Sequence, residues 1–337
     1  MPTLRQLLED AFASDGLDLR LHLIRLPKTD LHAHSLLSPR LEDFDDIVGA
    51  RVARPPDTFR DFNHFQAYIR SDLVPHMRGP ERVFDLIRKA LLRMADEGVV
   101  YTETSVDVLV PQFLGITVAE FAESLERIRV DMAERITVCF EGGLNREAPL
   151  EALSTALEEF LTTDCLGSID LYGDETIAPP GQFRKLYYRA RDHGLKLKAH
   201  SGESCGPDLI REALECLEVH AIQHGIRAIE DPHLVDLLAS RGTVLNVCPT
   251  SNVKLGIVPD LGSHPIAHLI ERGVRVTINT DDFTVFGADI CDELTNLYEY
   301  SHLDVDAIEK VLRTGIEEAP KSVQTKISQS SMQTVKA

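Results

Sequence analysis

At 337 residues with 43% hydrophobic content, the chain has room for one large α/β domain or two smaller ones and material for a substantial core. Thirty-five basic residues against 54 acidic ones leave a formal net charge of −19, which repels nucleic acid phosphates and anionic lipid surfaces and argues against polyanionic partners. No positively charged n-region leads into an apolar h-region, no apolar run approaches the roughly 20 residues that cross a bilayer, and the six cysteines include no CxxC pair, so a cytoplasmic protein with reduced thiols is expected.

In chain order, "LEDAFAS" reads as a leading helix and "LPKTDLHAH" as a first strand entered through a proline. Seven more short β-rich runs follow at 98–106, 135–143, 166–173, 195–202, 220–225, 243–251 and 274–282. Between them lie stretches with helical spacing, such as "VAEFAESLERIRVDMAE" and "HLVDLLASRG", the second closed by a glycine suited to a helix end. Eight strands alternating with helices predict a (β/α)8 (TIM) barrel spanning 1–337 as one domain. A doubly wound sheet is the rival, but no GxGxxG follows the first strand. The segment from about 52 to 77 is too long for a plain strand-to-helix connection. It carries Phe59, Phe62, Phe65 and Tyr68, which suits a helical insertion serving as an apolar lid, or a helix packed on the barrel. The polar tail from about 322 to 337 is expected to fray.

Barrel enzymes carry their chemistry at the C-terminal ends of strands. Those ends hold His32 and His34 on strand 1, His200 on strand 5, His224 on strand 6, and Asp281 with Asp282 on strand 8. Side chains two apart on a strand face the same side, and two inward imidazoles need partners that a metal supplies. Alone, His200 reads as a hydrogen-bonded core histidine, and an Asp-Asp pair as a turn or helix cap. Together, His32, His34, His200 and Asp281 make the donor set of a catalytic zinc site with one open position. Glu203, three residues beyond His200 on a glycine-flanked loop, is then placed to act as general acid. The remaining histidines, His264 in "SHPI" among them, have no spacing that demands a role.

The ordered motifs "LPKTDLHAH", "LGSIDLYGDE", "AHSGE", "IQHGIRA", "NVCPTSNVKLG", "HPI" and "TDD" with "VFG" strongly resemble the adenosine deaminase family of the amidohydrolase superfamily, from about Leu26 to about Leu297. The resemblance implies one Zn2+ per chain on His32, His34, His200 and Asp281. It implies a catalytic set of Glu203, His224 and Asp281, in which Glu203 protonates purine N1 and His224 steadies the attacking, metal-activated water. Substrate contacts are implied for His34, for Asp282 at N7 and for the Gly173 N–H at N3. The reaction expected is hydrolytic deamination of a 6-aminopurine nucleoside, the partner being a small molecule and neither nucleic acid nor membrane.

Two departures stand out. Leu36 occupies the place of an acidic residue that the family associates with the ribose 5′-hydroxyl, and Ser105 stands near a usual arginine. A buried 5′-hydroxyl without an acceptor costs about 1–3 kcal/mol, so a 5′-modified adenosine is favoured over adenosine itself. Deamination of adenine or another aminopurine is the alternative, and a catalytically silent barrel acting as a binding module is the second. Two-metal hydrolases usually carry a lysine at the end of strand 4, where this chain has "GSIDLYG". Cytidine-deaminase chemistry needs H-x-E with P-C-x-x-C, which is missing.

Overall fold

The computed structural model describes residues 3–14, 16–301 and 303–333. Eight parallel strands follow one another in a single sheet, ordered as in the sequence. They are β1 (Lys28–His34), β2 (Val99–Asp107), β3 (Thr137–Asn145), β4 (Leu166–Tyr172), β5 (Lys196–Ser201), β6 (Ala221–His224), β7 (Val244–Val247) and β8 (Arg275–Ile278). Beyond β8, Asp281 bridges to Ala33 of β1, its N–H donating to the His32 carbonyl at 2.9 Å. This bridge brings the last strand back to the first and nearly closes the (β/α)8 barrel.

Helices on the outside bury one apolar stripe each against the strands. The helix Val118–Met132 starts at Thr117, whose side chain accepts from the Glu120 N–H while Glu120 reaches back to the Thr117 N–H. The helix Pro232–Arg241 stops at Gly242, whose φ of 67° glycine adopts without a Cβ penalty. Strand 7 is shorter than its β-rich run suggests. Pro249 has no N–H to give to a ladder and instead opens the helix Pro249–Lys254, which carries Ser251 and Asn252 to the mouth of the barrel.

The aromatic segment is a helix, Phe62–Tyr68, started by Asp61 accepting from the His64 N–H at 2.8 Å, and followed by tighter and wider turns through His76. Its four aromatics divide between two tasks. Phe59 and Tyr68 pack in the core, while Phe62 and Phe65 face a cavity. The polar tail continues as a helix, Lys321–Gln333, because Val323 and Ala319 bury against Leu31 and Tyr101; residues 334–337 lie outside the described residues. Among the described residues no helix is long and apolar enough to cross a membrane.

The barrel interior is polar in two layers. Toward the N-terminal ends of the strands, Lys198 Nζ lies 2.7 Å from Glu103, 2.7 Å from Glu141 and 2.9 Å from the Leu31 carbonyl. Tyr101, Lys196 and Ser168 donate to the remaining lone pairs of the two glutamates. The second layer, at the C-terminal ends, is the candidate site.

Candidate active site

Of the nine residues singled out in the sequence, eight line one cavity of about 350 Å3 at the C-terminal mouth: His34, Leu36, Gly173, His200, Glu203, His224, Asp281 and Asp282. His32 is fully buried beneath them, with its Nε2 3.0 Å from His200 Nε2. Asp281 Oδ1 stands 3.4 Å from His34 Nε2 and 3.7 Å from His32 Nε2, and its Oδ2 stands 3.8 Å from His224 Nε2. The tertiary structure therefore brings all nine together from five strand ends.

The donor chemistry of this cluster fits a cation. His32 Nδ1 lies 3.3 Å from the Asn246 carbonyl, and His200 Nδ1 lies 2.8 Å from Asp170 Oδ2. A ring nitrogen from each of His32, His34 and His200 lies within 4.8 Å of the other two. With the nearby Asp281 carboxylate they form a nitrogen-and-oxygen set of the kind zinc takes.

Backbone conformation helps aim these groups. His224 and Asp281 have φ of 59° and 55°, an uncommon conformation for residues with side chains, and both sit where the chain leaves the barrel. Gly202 has φ 72°, and a Cβ there would sit 2.2 Å from the Ile210 side chain, so only glycine lets the next residue, Glu203, turn into the cavity.

The electrostatics divide the residues by task. Burial drives the Glu203 carboxyl well above its ordinary range, and the charges of Asp281 and Glu175 push the same way against a hydrogen bond from Asn252, which favours its protonated form. Burial lowers His224 to about 3 and, with neighbouring imidazoles, takes His32 well below its usual value. Both are neutral at physiological pH. Burial would lower His34 too, but Asp282 and Asp281 outweigh it and raise the imidazole to about 10. Burial also opposes ionisation of Asp281, yet the hydrogen bond from His34 and the nearby His32 and His224 hold it below the ordinary carboxylate range. Burial and the Asp281 charge raise Asp282 to about 8 against the pull of His34, and its Oδ1 is buried with no hydrogen-bond partner.

Several functional contacts escaped the sequence reading. Asp170 backs His200, and Ser251 Oγ donates to Asp281 Oδ2 at 2.7 Å. Asn252 Nδ2 donates to Glu203 Oε1 at 3.1 Å and lies 3.2 Å from His224 Nδ1. His264, given no role above, is buried with its Nε2 3.2 Å from Asn252 Oδ1, so it steadies the amide that holds Glu203. Glu175 anchors the same loop by accepting from the Ser204 N–H at 2.9 Å and the Cys205 N–H at 2.6 Å. The available signals were the inward parity of Asp170 with Tyr172 on β4 and the Pro-initiated helix in "CPTSN".

Comparison with known proteins supplies names for this arrangement. The sequence profile of the family described as Adenosine deaminase matches residues 49–330. An aminodeoxyfutalosine deaminase from Streptomyces avermitilis is 32% identical over 328 residues, covering 90% of this chain and 89% of its own. An adenine deaminase from Albidiferax ferrireducens is 31% identical over 292 residues, covering 81% and 83%. The crystal structure of an adenine deaminase from Arthrobacter aurescens superposes with a TM-score of 0.82 at 25% identity, over 92% of this chain and 99% of that one.

Proposed function

The chain belongs to the adenosine deaminase family and is an aminohydrolase acting on the C–N bond of a cyclic amidine; from that premise we propose that it deaminates a 6-aminopurine nucleoside with an apolar 5′ substituent. One zinc per chain would be held by His32, His34, His200 and Asp281. When bound it would supply Lewis acidity that lowers the pKa of a water toward about 7.

The chain's own groups do the rest. Asp282, protonated below about 8, offers a hydrogen bond from its partnerless oxygen to a purine ring nitrogen, and the Gly173 N–H meets another. Glu203 gives its proton to N1, next to the carbon that bears the amino group, and that carbon then accepts electrons from water. His224, neutral and with its Nε2 3.8 Å from Asp281 Oδ2, orients the water, whose proton is released to solvent. The amino group takes a proton from solvent and leaves the tetrahedral carbon as ammonia, while the new hydroxyl returns a proton to Glu203 and leaves the 6-oxo product.

The observation that carries this reading is the buried Glu203 carboxyl, held by the Asn252 amide at 3.1 Å and standing 3.5 Å from His224 Nδ1 in the cavity that Asp281 also lines. The apolar lining supports the 5′ preference. Leu36 and Leu37 line the cavity with Phe62, Phe65, Ile69 and Met77, so an apolar 5′ group gains contact where a hydroxyl loses an acceptor.

The test is ammonia release by zinc-loaded protein from adenosine, 5′-deoxyadenosine, 5′-methylthioadenosine, aminodeoxyfutalosine and adenine in parallel. A 5′-modified nucleoside with the highest kcat/KM supports the proposal, and adenosine in first place overturns the Leu36 argument. A second reading, adenine deamination, is favoured by the Albidiferax and Arthrobacter relatives, and adenine alone reacting would establish it. The silent-barrel alternative has no support among relatives named as deaminases.

A further inference from the structure

The cavity is also lined by polar groups that the chemistry above does not use. Among its many apolar residues, the ends of β2, β3 and β4 bring Asp107, Asn145 and Tyr172 to it. Neighbouring parallel strands bring these ends together, Asn145 standing opposite Tyr172 and Asp107 opposite Gly143. The Tyr172 hydroxyl donates to Asp107 Oδ2, and Asp107 Oδ1 accepts from the Leu109 N–H at 2.6 Å.

Those two bonds leave lone pairs on both carboxylate oxygens, since a carboxylate accepts about four hydrogen bonds. Asp107 is half-buried at the cavity wall, and among the described residues no lysine or arginine pairs with it. A carboxylate set in a largely apolar cavity without a cation is suited to ligand O–H donors. Its location relative to the reacting centre is set by Tyr172, whose ring lies 5.6 Å from that of His34 and 6.4 Å from that of His200 while its hydroxyl reaches away to Asp107. In a purine, C6 and N9 lie at opposite ends of the ring system. With C6 at Glu203, the N9 substituent points toward this part of the cavity.

We infer that Asp107, positioned by Tyr172 with Asn145 beside it, is a subsite for the vicinal hydroxyls of a pentose. Two adjacent O–H groups match two carboxylate oxygens with free lone pairs, and an apolar 5′ group then meets the cavity's apolar lining. The inference rests on the aminopurine reading for the direction of the base, and it makes the substrate a nucleoside with both ring hydroxyls and not a free base.

The experiment measures calorimetric binding of inosine and 2′,3′-dideoxyinosine to the zinc-loaded protein and to D107N, with kcat/KM for adenosine and 2′,3′-dideoxyadenosine alongside. Asparagine keeps a carbonyl oxygen for the Leu109 N–H and loses the charge. Wild type is expected to prefer each hydroxylated ligand by about 10- to 100-fold, and D107N to narrow that ratio to about threefold with little change for the dideoxy ligand. Equal binding of the two ligands by wild type overturns the subsite, as does an equal loss for both in D107N. If D107N fails to fold, the wild-type ratio decides. A preserved binding ratio with no aminopurine turnover sinks the deaminase substrate reading and leaves the subsite standing; turnover without any ratio does the reverse.

Discussion

The two polar layers inside the barrel are built from similar residues and obey opposite logic. In the lower layer every proton of Lys198 Nζ has an acceptor, and Glu103 and Glu141 each receive a further donor, so the ammonium is fully paired and bridges both carboxylates. In the upper layer the Nε2 atoms of two imidazoles stand 3.0 Å apart, burial raises the Glu203 carboxyl above its ordinary range, and an oxygen of Asp282 has no partner. The lower layer satisfies its charges within the protein. The upper one leaves polar atoms available to a ligand, as a preorganised site requires.

The sharpest test of this contrast is Glu203→Gln. Removing the proton donor is expected to lower kcat by about 10²- to 10⁴-fold while zinc content and the denaturant midpoint stay at wild-type values. Near-normal turnover would put the proton transfer elsewhere.

Lys198→Met should do the converse. It strands Glu103 and Glu141 in the barrel, and equilibrium denaturation should show a loss of about 3–5 kcal/mol. Folded protein should retain the substrate preference of wild type, and an intact stability with lost activity would erase the distinction between the layers.

A pH series separates the layers further. Burial disfavours the charged form of Glu103, but Lys198 and Lys196 outweigh it and hold its pKa near 2, below the ordinary 4.5. A depressed carboxyl binds fewer protons in the folded state, so its stabilisation is complete above pH 4.5 and is lost as pH falls toward 2. Glu103→Gln should therefore lie below wild type in stability near neutrality, and the gap should close with acidification through that window. A gap independent of pH would show that charge pairing is not its source.

Glu175→Gln is expected to have the smallest effect. It weakens the hold on the loop that carries Glu203, so kcat should fall by about tenfold or less with KM unchanged. A change in KM alone would assign Glu175 to substrate binding.

What could be seen without the fold follows from local periodicity. Alternation with period two places His32 and His34 on one side, strand-end positions flag His200, His224 and Asp281, and the offset from His200 to Glu203 follows from a short loop. Leu36 and Ser105 were likewise visible as departures from a pattern. Asp170, Asn252, His264 and the Lys198–Glu103–Glu141 layer were not, because each acquires its role from a partner on another strand or helix.

The sequence by itself determined the strand–helix rhythm, the barrel and the chemical types collected at its mouth, since these depend on residues near one another along the chain. Only the tertiary structure decided which polar groups meet, which carboxyls burial and charge raise or lower, and which residues line the cavity. Those properties depend on closure through the Ala33–Asp281 bridge, which brings β8 against β1 and sets a distance of 3.7 Å between groups as far apart along the chain as His32 and Asp281. Electrostatics and hydrogen bonding are decided at that range, and no local pattern encodes it.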